Sequence, residues 1–329
     1  MKLLVTGGSG FIGSHFILRW LRLHPGDSII NVTRRIRECD LVPALQDARR
    51  LHRYHCVEAD IADINESWPG VCEAEQIVHC AAESSVETSL KDPAAVARVN
   101  VLGTLALLEF ARRRGTRIHL VSTFEVFGQG DCDLVSEGCA FRPENPYGAC
   151  AAGIALLALS FQKAFDLPLT LTYGTNTFGP GQRLNKLIPR FVTRAIAEQD
   201  LPVYGHGNHV RNWVYVEDHC SAIECALERG TPGHSYCVSG ETRLSSLDIA
   251  ERILRQLGKP STQIRFVTDR ASHCSYPAAD TSSIRSLGWK PAYEFDRALE
   301  ETIQWYVDHS ARRASSEVKR ELETSALTV

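Results

Sequence analysis

Short apolar runs alternate with longer segments of helical spacing through the first half of the chain. The runs have four to six residues, are rich in β-branched side chains, and are predicted as strands at Lys2–Thr6, Ser28–Val32, Gln76–Cys80, Arg117–Ser122 and Leu169–Thr172. Between them, apolar residues recur with helical spacing in Phe11–Leu23, Ala94–Arg114 and Tyr147–Phe165. Because strands that alternate with helices pair side by side, the pattern predicts an α/β fold with a doubly wound parallel sheet.

The pattern changes after about Gly174, where glycine and proline separate shorter elements. Helical spacing returns in Leu247–Leu257 and Phe295–Tyr306, which indicates a smaller C-terminal α+β lobe for substrate. We therefore expect a first domain at 1–173 with a return segment at 211–237. The second lobe would take 174–210 and 238–310, and the charged, serine-rich residues 311–329 would form a disordered tail or frayed helix.

Composition excludes several classes of function for this chain of 329 residues. The formal net charge of −3 gives no basic surface for nucleic acid or membrane, and no apolar run approaches membrane-spanning length. Eleven cysteines without a C-x-x-C pair indicate reduced thiols and a cytoplasmic protein. The twelve histidines have no H-x-x-x-H or HExxH spacing, so no metal site is expected.

The segment VTGGSGFIGSH follows the first strand and begins the first helix. Its glycines Gly8, Gly10 and Gly13 fit G-x-G-x-x-G, and Gly7 precedes them. Glycine permits a tight turn, brings the backbone close to a pyrophosphate, and leaves helix N-terminal N–H groups to face it. The turn therefore predicts a Rossmann-type domain that binds a dinucleotide.

The tip of the second strand bears on which dinucleotide is bound. An acidic residue there normally holds the adenosine ribose, but this chain has Thr33, Arg34 and Arg35. Two arginines suit a 2′-phosphate, which favours NADP over NAD; a solvated basic loop is the alternative. Asp60 and Ile61, after the next run, are candidates for contact with the adenine.

Several segments taken in order identify a family. The glycine turn is followed by HCAAESSVETSL, VSTFEVFG, PYGACAA, NKLIPRFV and LPVYGHGNHVRNWVYVEDH. In this order the chain resembles the extended short-chain dehydrogenase/reductase family, and within it the nucleotide-sugar 4,6-dehydratases and epimerases of the dTDP-glucose type. The resemblance covers Lys2 to about Tyr306 and implies a nicotinamide cofactor, a nucleoside diphosphate sugar as small-molecule partner, and a homodimer formed by helices at 101–110 and 149–165.

The resemblance also implies which residues bind. Those expected at the cofactor are Gly7, Gly10, Phe11, Ile12, Gly13, Thr33, Arg34, Arg35, Asp60, Ile61, Ala81, Ala82, Asn100 and Tyr147. Those expected at the sugar nucleotide are Glu83, Ser84, Ser85, Thr123, Asn176, Lys186, Leu187, Pro202, Tyr204, Arg211 and His273.

The catalytic residues implied by the family are present only in part. Tyr147 is the expected acid/base at O4, Thr123 its hydrogen-bonding partner, and Glu125 the base at C5. Phe124 stands where the family has an aspartic acid that protonates the departing C6 hydroxyl, and Ala151 stands at the lysine of Tyr-x-x-x-Lys. A free tyrosine has a pKa of about 10, so the missing ammonium matters for any step that needs the phenolate.

These departures leave three alternatives open. In the first, the chain oxidises or deprotonates its sugar next to C4 with the three residues that remain. In the second, the chain is an epimerising or 5,6-ene-forming variant that acts on an unusual sugar or nucleoside. In the third, the chain is a catalytically retired homologue that binds a sugar nucleotide without turnover, such as the partner subunit of an active relative.

Overall fold

A computed structural model describes residues 1–35, 42–129, 133–269 and 275–326, with side chains described except at 42–44 and 311–326. The chain divides into two units. The first comprises Met1–Thr177, Arg211–Arg243 and Cys274–Ala292, and the second comprises Phe178–Val210, Leu244–His273 and Tyr293–Val329.

The described strands are numbered in chain order. They are β1 Lys2–Thr6, β2 Ser28–Thr33, β3 Tyr54–Glu58, β4 Gln76–His79, β5 Arg117–Thr123, β6 Leu134–Val135, β7 Leu169–Gly174, β8 Asn176–Phe178, β9 Leu201–Tyr204, β10 Val210–Tyr215, β11 Ser235–Val238, β12 Thr242–Ser245, β13 Ile264–Val267 and β14 Ala278–Ala279.

The α-helices are numbered in the same way. They are α1 Phe11–Leu23, α2 Val42–Arg50, α3 Val86–Lys91, α4 Pro93–Ala97, α5 Gly103–Arg114, α6 Pro146–Phe165, α7 Leu187–Ile196, α8 Val216–Arg229, α9 Ser246–Gln256, α10 Ser282–Ser286 and α11 Phe295–Ala326.

The first unit is built on a seven-stranded sheet in the order β11-β7-β5-β4-β1-β2-β3. Every neighbouring pair in it is parallel, which confirms the predicted doubly wound α/β fold. The sequence patterns did not predict β3 and β11. Both strands lie at the edges of the sheet. β3 has polar or exposed positions and so lacks the continuous apolar run of a central strand, whereas β11 has only four residues, three of them buried.

The segment predicted as one helix from Ala94 to Arg114 has a break in its hydrogen-bond pattern. Helix α4 passes into a π-helical turn at Arg98–Leu102, and α5 follows from Gly103. A π-turn inserts an extra residue into a helix and is frequent at functional sites. Here it contains the buried Asn100.

Two helical stretches are long and apolar enough to cross a membrane, by length and composition alone. They are Pro93–Arg114 and Pro146–Phe165, and 44% and 39% of their apolar windows are buried inside the protein. The sequence-based statement that no apolar run approaches this length is therefore corrected. The indication is weak, because helices that cover the sheet of a water-soluble protein pass the same test.

The second unit contains α7, α9 and α11 together with the parallel pair of β9 and β13. Helix α9 begins with a capping box, in which Ser245 accepts from the backbone N–H of Asp248 and the Asp248 carboxylate accepts in return. Helix α11 has helical backbone as far as Ala326, through most of the segment for which the sequence suggested a disordered tail.

Three buried histidines of the first unit are held by threonine hydroxyls. His79 lies between Thr6 and Thr104, and His119 contacts two threonines of β7. Burial lowers the pKa of His79 to about 4 and that of His119 to about 3, and it lowers the pKa of His219 to about 4. All three are therefore neutral in the folded protein at pH 7.

We expect stability to fall as the pH is lowered from about 6.5 towards 4. In that window an unfolded histidine, with a pKa near 6.5, binds a proton that the folded histidine does not, so acid favours unfolding by about 1.4 kcal/mol per pH unit for each. Urea unfolding at pH 7.5, 6.5, 5.5 and 5.0 measures this loss. Replacing the exposed His55 with glutamine should leave the slope unchanged, and a free energy of unfolding that stays constant down to pH 5 would contradict the expectation.

Candidate active site

The strand order places the glycine turn at the centre of the sheet's carboxyl edge. β1 lies between β4 and β2, so the chain direction of the crossovers reverses beside it, and ligands of such folds bind at this point. Gly7 follows β1 with φ of +72°, and a Cβ there would lie 2.6 Å from the Cα of Ala81, which follows β4. Glycine is needed here both for the positive φ and for the close approach of the two strand ends.

The start of α1 is a site for an anion. Gly10 is its N-cap and has no side chain to satisfy the first turn. Within the described residues no hydrogen bond is made by the backbone N–H groups of Phe11, Ile12 and Gly13, and the first turn has no acidic residue. A helix N-terminus of this kind fits the pyrophosphate of a dinucleotide.

Residues near the tip of β2 have mixed environments. Thr33 is buried and donates to the backbone oxygen of Arg35 at 3.2 Å, and the side chains of Arg34 and Arg35 are exposed. Asp60 accepts from the N–H of Ala62 at 3.0 Å and so caps its own short turn. Ile61 is buried in the core, so its side chain packs within the protein.

A pocket lies where β4, β5, β7, α5 and α6 meet. It is lined by His79, Ala81, Ala82, Asn100, Thr104, Leu120, Val121, Ser122, Thr123, Tyr147, Ala151, Ile154 and Leu171. The Oγ of Ser122 in this lining is buried and has no partner among the described residues. This orphaned hydroxyl, the close approach at Gly7 and the open helix N-terminus fit a nicotinamide dinucleotide laid across the edge of the sheet.

A chain of hydrogen bonds fixes the floor of this pocket. Thr104 donates to the backbone oxygen of Asn100, so His79 donates to Thr104 through Nε2 and accepts from Thr6 through Nδ1. The Asn100 amide then bonds both the N–H and the carbonyl of Glu83, at 2.8 and 3.0 Å. The π-turn thus positions the loop after β4.

In the loop after β4, Glu83 and Ser85 also make structural hydrogen bonds that the sequence analysis did not predict. The carboxylate of Glu83 accepts from the N–H of Ser85 at 3.0 Å. Ser85 is the N-cap of α3, where its hydroxyl accepts from the N–H of Thr88. Ser84 adjoins both in the same loop.

The three candidate catalytic residues come together at the end of β5 and the start of α6. Thr123 caps the short turn Phe124–Phe127 by accepting from the N–H of Glu125. Tyr147 lies in the first turn of α6, two residues after the N-cap residue Asn145. A Cβ on Gly148 would lie 3.0 Å from the carbonyl oxygen of Glu125, so the two segments are in close contact.

The Tyr147 phenol is held in its protonated form. Burial is the largest cause that raises its pKa well above the ordinary value, and the negative charges of Glu125 and Glu83 raise it further. A hydrogen bond with Thr123 acts in the opposite direction but does not offset the rise. At neutral pH the group can donate a hydrogen bond to a substrate oxygen, and it is a poor base.

The two substituted positions lie in apolar surroundings. Phe124 is 4% exposed, belongs to the core of the first unit, and packs against Phe127 with ring centroids 5.2 Å apart. Ala151 is 7% exposed and lines the pocket one turn after Tyr147. Neither can carry a proton or a charge, so the site lacks the aspartic acid and lysine of the family pattern.

Two partners of Glu125 were missed by sequence reasoning. Asn145 donates its amide N–H to Glu125 Oε2 at 3.0 Å, and the hydroxyl of Tyr276 donates to the same oxygen at 2.9 Å. Asn145 precedes a proline at a helix start, which is a readable N-cap signal. Tyr276 lies 151 residues from Glu125 in the chain, and no local pattern marks it.

The remaining candidates for the sugar nucleotide are divided between the units. Asn176 on β8 and Arg211 on β10 belong to the first unit. Those in the second unit are Lys186, the N-cap of α7, with Leu187, Pro202 and Tyr204. His273 lies outside the described residues.

One group in the described part of the chain has potential metal ligands. His24, Glu224 and Glu228 each offer an atom within 4.8 Å of the others. Glu224 also accepts from Arg19 at 2.7 Å and from His24 at 3.0 Å, so the group is already an ion-pair network between α1 and α8. The expectation that the chain has no metal centre stays a prediction.

Known proteins are similar to this chain over nearly its whole length. Residues 4–302 match the family model of GDP-mannose 4,6 dehydratase. The chain is 39% identical to the low-salt glycan biosynthesis protein Agl12 of Haloferax volcanii, over 93% of this chain and 99% of that protein. It is also 39% identical to a dTDP-glucose 4,6-dehydratase of Streptomyces niveus, over 94% of each.

Among solved structures, the chain is similar to DesIV, the dTDP-glucose 4,6-dehydratase of Streptomyces venezuelae, which was crystallised with NAD bound. The TM-score is 0.86 at 35% identity, and the match covers 94% of this chain and 97% of that one. The resemblance expected from the sequence is confirmed. The chain belongs to the GDP-mannose 4,6 dehydratase family, among the extended short-chain dehydrogenase/reductase enzymes that dehydrate or epimerise nucleotide sugars.

Proposed function

We propose that this enzyme removes a proton from the carbon next to the C4 carbonyl of a nucleoside-diphosphate sugar and returns it, exchanging or inverting that centre. Glu125 is the base, and Tyr147 and Thr123 donate hydrogen bonds to O4. As a member of its family the chain is a nicotinamide-dependent enzyme of the dehydratase/epimerase type. The arrangement of Glu125 carries the proposal, because Asn145 and Tyr276 hold its carboxylate, its charge acts on Tyr147, and no other acid of the family pattern remains.

The hydroxyl donors favour proton abstraction from a ketone. Removing a proton next to a carbonyl places negative charge on its oxygen, and preorganised donors stabilise that charge. A phenol whose pKa is raised stays protonated and can supply such a donor throughout the reaction. Glu125, with Oε2 held by Asn145 and Tyr276, has the chemistry of the matching base.

Phe124 argues against complete 4,6-dehydration. Loss of the C6 hydroxyl needs an acid at that oxygen, and Phe124 is packed in the core where no proton can be delivered. A nicotinamide dinucleotide, when bound, supplies oxidation and reduction of the sugar alcohol. Proton transfer at the neighbouring carbon of a sugar that is already a ketone requires only the residues that this chain retains.

The reaction is tested by exchange in D2O with dTDP-, UDP- and GDP-4-keto-6-deoxyglucose. We expect the wild-type protein to incorporate deuterium next to the carbonyl of at least one of them, seen by mass and by NMR. Glu125→Gln should reduce the exchange rate about 100-fold or more, since a positioned base contributes about 10²–10⁴. Tyr147→Phe should reduce it as well, through loss of the donor to O4.

Glu144→Gln is the matched control. Glu144 immediately precedes Asn145 in the chain. Its carboxylate accepts from the backbone N–H of Gln129, which is not one of the groups that bond Glu125 Oε2. The control should exchange at the wild-type rate. Binding of a sugar nucleotide without any exchange would refute the proposal in favour of a retired enzyme that only binds.

We further propose that the cofactor is NADP rather than NAD. The support is the exposed pair Arg34 and Arg35 beyond the tip of β2, where a guanidinium can pair with a 2′-phosphate. The solved DesIV structure contains NAD, so the preference separates this chain from that relative.

Replacing Arg34 with serine should weaken NADP binding about 10- to 150-fold. A charge-assisted hydrogen bond contributes about 1.5–3 kcal/mol to binding. Binding of NAD should not change, because NAD has no 2′-phosphate for Arg34 to contact. Titration calorimetry with NADP and NAD on both proteins measures the change. Tighter binding of NAD by the wild-type protein would contradict the preference.

The homodimer is also proposed for this chain. Leu102 is 56% exposed beside α5, and Leu156 is 60% exposed on α6. Exposed apolar side chains on two neighbouring helices form a surface that a second copy can cover.

Leu156→Glu should therefore dissociate the dimer, because it places a charge in the buried centre of the interface. Sedimentation equilibrium should give a monomer for this variant and a dimer for the wild type. Leu51→Glu is the control, since Leu51 is 67% exposed at the end of α2 and lies on another part of the first unit. A wild-type protein that is monomeric at micromolar concentration would refute the dimer.

We assign the protein to the cytoplasm. The described cysteines are free thiols, which suits a reducing compartment. Nucleotide sugars and nicotinamide cofactors are the small molecules that the site is proposed to bind, and nucleic acid and membrane are not expected partners.

A further inference from the structure

Tyr276 is fixed at both of its ends. The side chain is buried, with 6% exposed, and its hydroxyl donates to Glu125 Oε2 at 2.9 Å. Its backbone oxygen accepts from Arg243 at 3.1 Å. On the ring itself lies the guanidinium of Arg211, with Cζ 4.4 Å from the ring centroid. One tyrosine therefore contacts the candidate base with its hydroxyl and a candidate phosphate ligand with its ring.

The hydrogen bonds on Glu125 define which oxygen can act. Asn145 and Tyr276 donate to the same oxygen, Oε2. Within the described residues no hydrogen bond reaches the other oxygen, Oε1. Asn145 is itself fixed, because it caps α6 by accepting from the N–H of Gly148 at 2.9 Å. The pair of donors thus restricts the rotation of the carboxylate and leaves Oε1 as the candidate oxygen for proton transfer.

Arg211 can hold a phosphate without leaving the ring. A guanidinium stacks on an aromatic ring through its face, while its N–H groups point outward in the plane and match phosphate oxygens. The cation over the ring also polarises the phenol and strengthens its O–H as a donor. A diphosphate that fixes Arg211 therefore fixes the ring of Tyr276 as well.

We infer that Tyr276 is a positioning residue that couples binding of the substrate's diphosphate at Arg211 to the orientation of the base Glu125. The inference rests on the proposed function and extends it to regulation by the nucleotide half of the substrate. Occupancy of Arg211 restricts Tyr276, and Tyr276 with Asn145 holds Glu125 Oε1 towards the carbon that loses its proton. Binding free energy from a remote part of the substrate is thereby used at the reacting centre.

The coupling has a readout that does not depend on turnover. In protein labelled with 13Cζ-tyrosine, the signal of Tyr276 is assigned by its absence in Tyr276→Phe. Saturation with dTDP, UDP or GDP should shift this signal in the wild type, and the shift should be lost in Arg211→Lys, which keeps the charge but not the planar stack. A Tyr276 signal that does not move when a nucleoside diphosphate binds would overturn the inference.

The second readout is the exchange reaction. Tyr276→Phe should lower kcat about 10-fold or more while KM changes little, because the substrate contacts remain and the orientation of the base is lost. Tyr173→Phe, which removes the hydroxyl of another buried tyrosine of the same unit, should leave both parameters at wild-type values.

A double-variant cycle decides whether Arg211 acts through Tyr276. Arg211→Lys should raise KM and lower kcat in the wild type, yet lower kcat no further in the Tyr276→Phe background. Equal and independent effects of the two changes on kcat would overturn the coupling, as would a wild-type kcat in Tyr276→Phe. A protein that gives the nucleotide-dependent shift but no exchange supports the coupling and refutes the proposed reaction; one that exchanges without the shift refutes the coupling alone.

Discussion

The ionisation of one phenol determines what this site can do. Tyr147 is partly buried beside two carboxylates, and the position one turn later, where its family pattern has an ammonium, is Ala151. Each pKa unit by which the phenol is raised represents about 1.4 kcal/mol against the phenolate. In the proposed reaction Tyr147 is therefore a donor, and Glu125 is the base. Because Phe124 cannot supply an acid, the reaction that we propose is confined to proton transfer next to a carbonyl.

The fold provides this arrangement through contacts far apart in the chain. The carboxyl ends of β1, β4 and β5 meet at one edge of the sheet, which brings the glycine turn, the loop after β4 and Thr123 together. Asn100, on a π-turn, fixes the loop after β4 through the backbone of Glu83. Helix α6 then sets Tyr147 against the turn that contains Glu125, with Gly148 as the point of close contact.

Local patterns in the sequence were sufficient for the central strands and for α1, because these have continuous apolar runs or strong helical spacing. They also located the glycine turn, whereas Phe124 and Ala151 were recognised as departures only through the resemblance to the family. They were not sufficient for the edge strand β3, whose side chains are mixed in polarity, or for β11, which has only four residues. Tyr276 could not be found in this way, since its role depends on a contact with Glu125 across 151 residues.

The most direct test of the account is the protonation state of Tyr147. In protein labelled with 13Cζ-tyrosine, the signal of Tyr147 can be assigned by its loss in Tyr147→Phe and followed from pH 6 to pH 11. The account predicts no ionisation of Tyr147 across this range in the wild type, and ionisation at lower pH when Ala151→Lys restores a cation one turn away. A wild-type Tyr147 that ionises near neutral pH would contradict it.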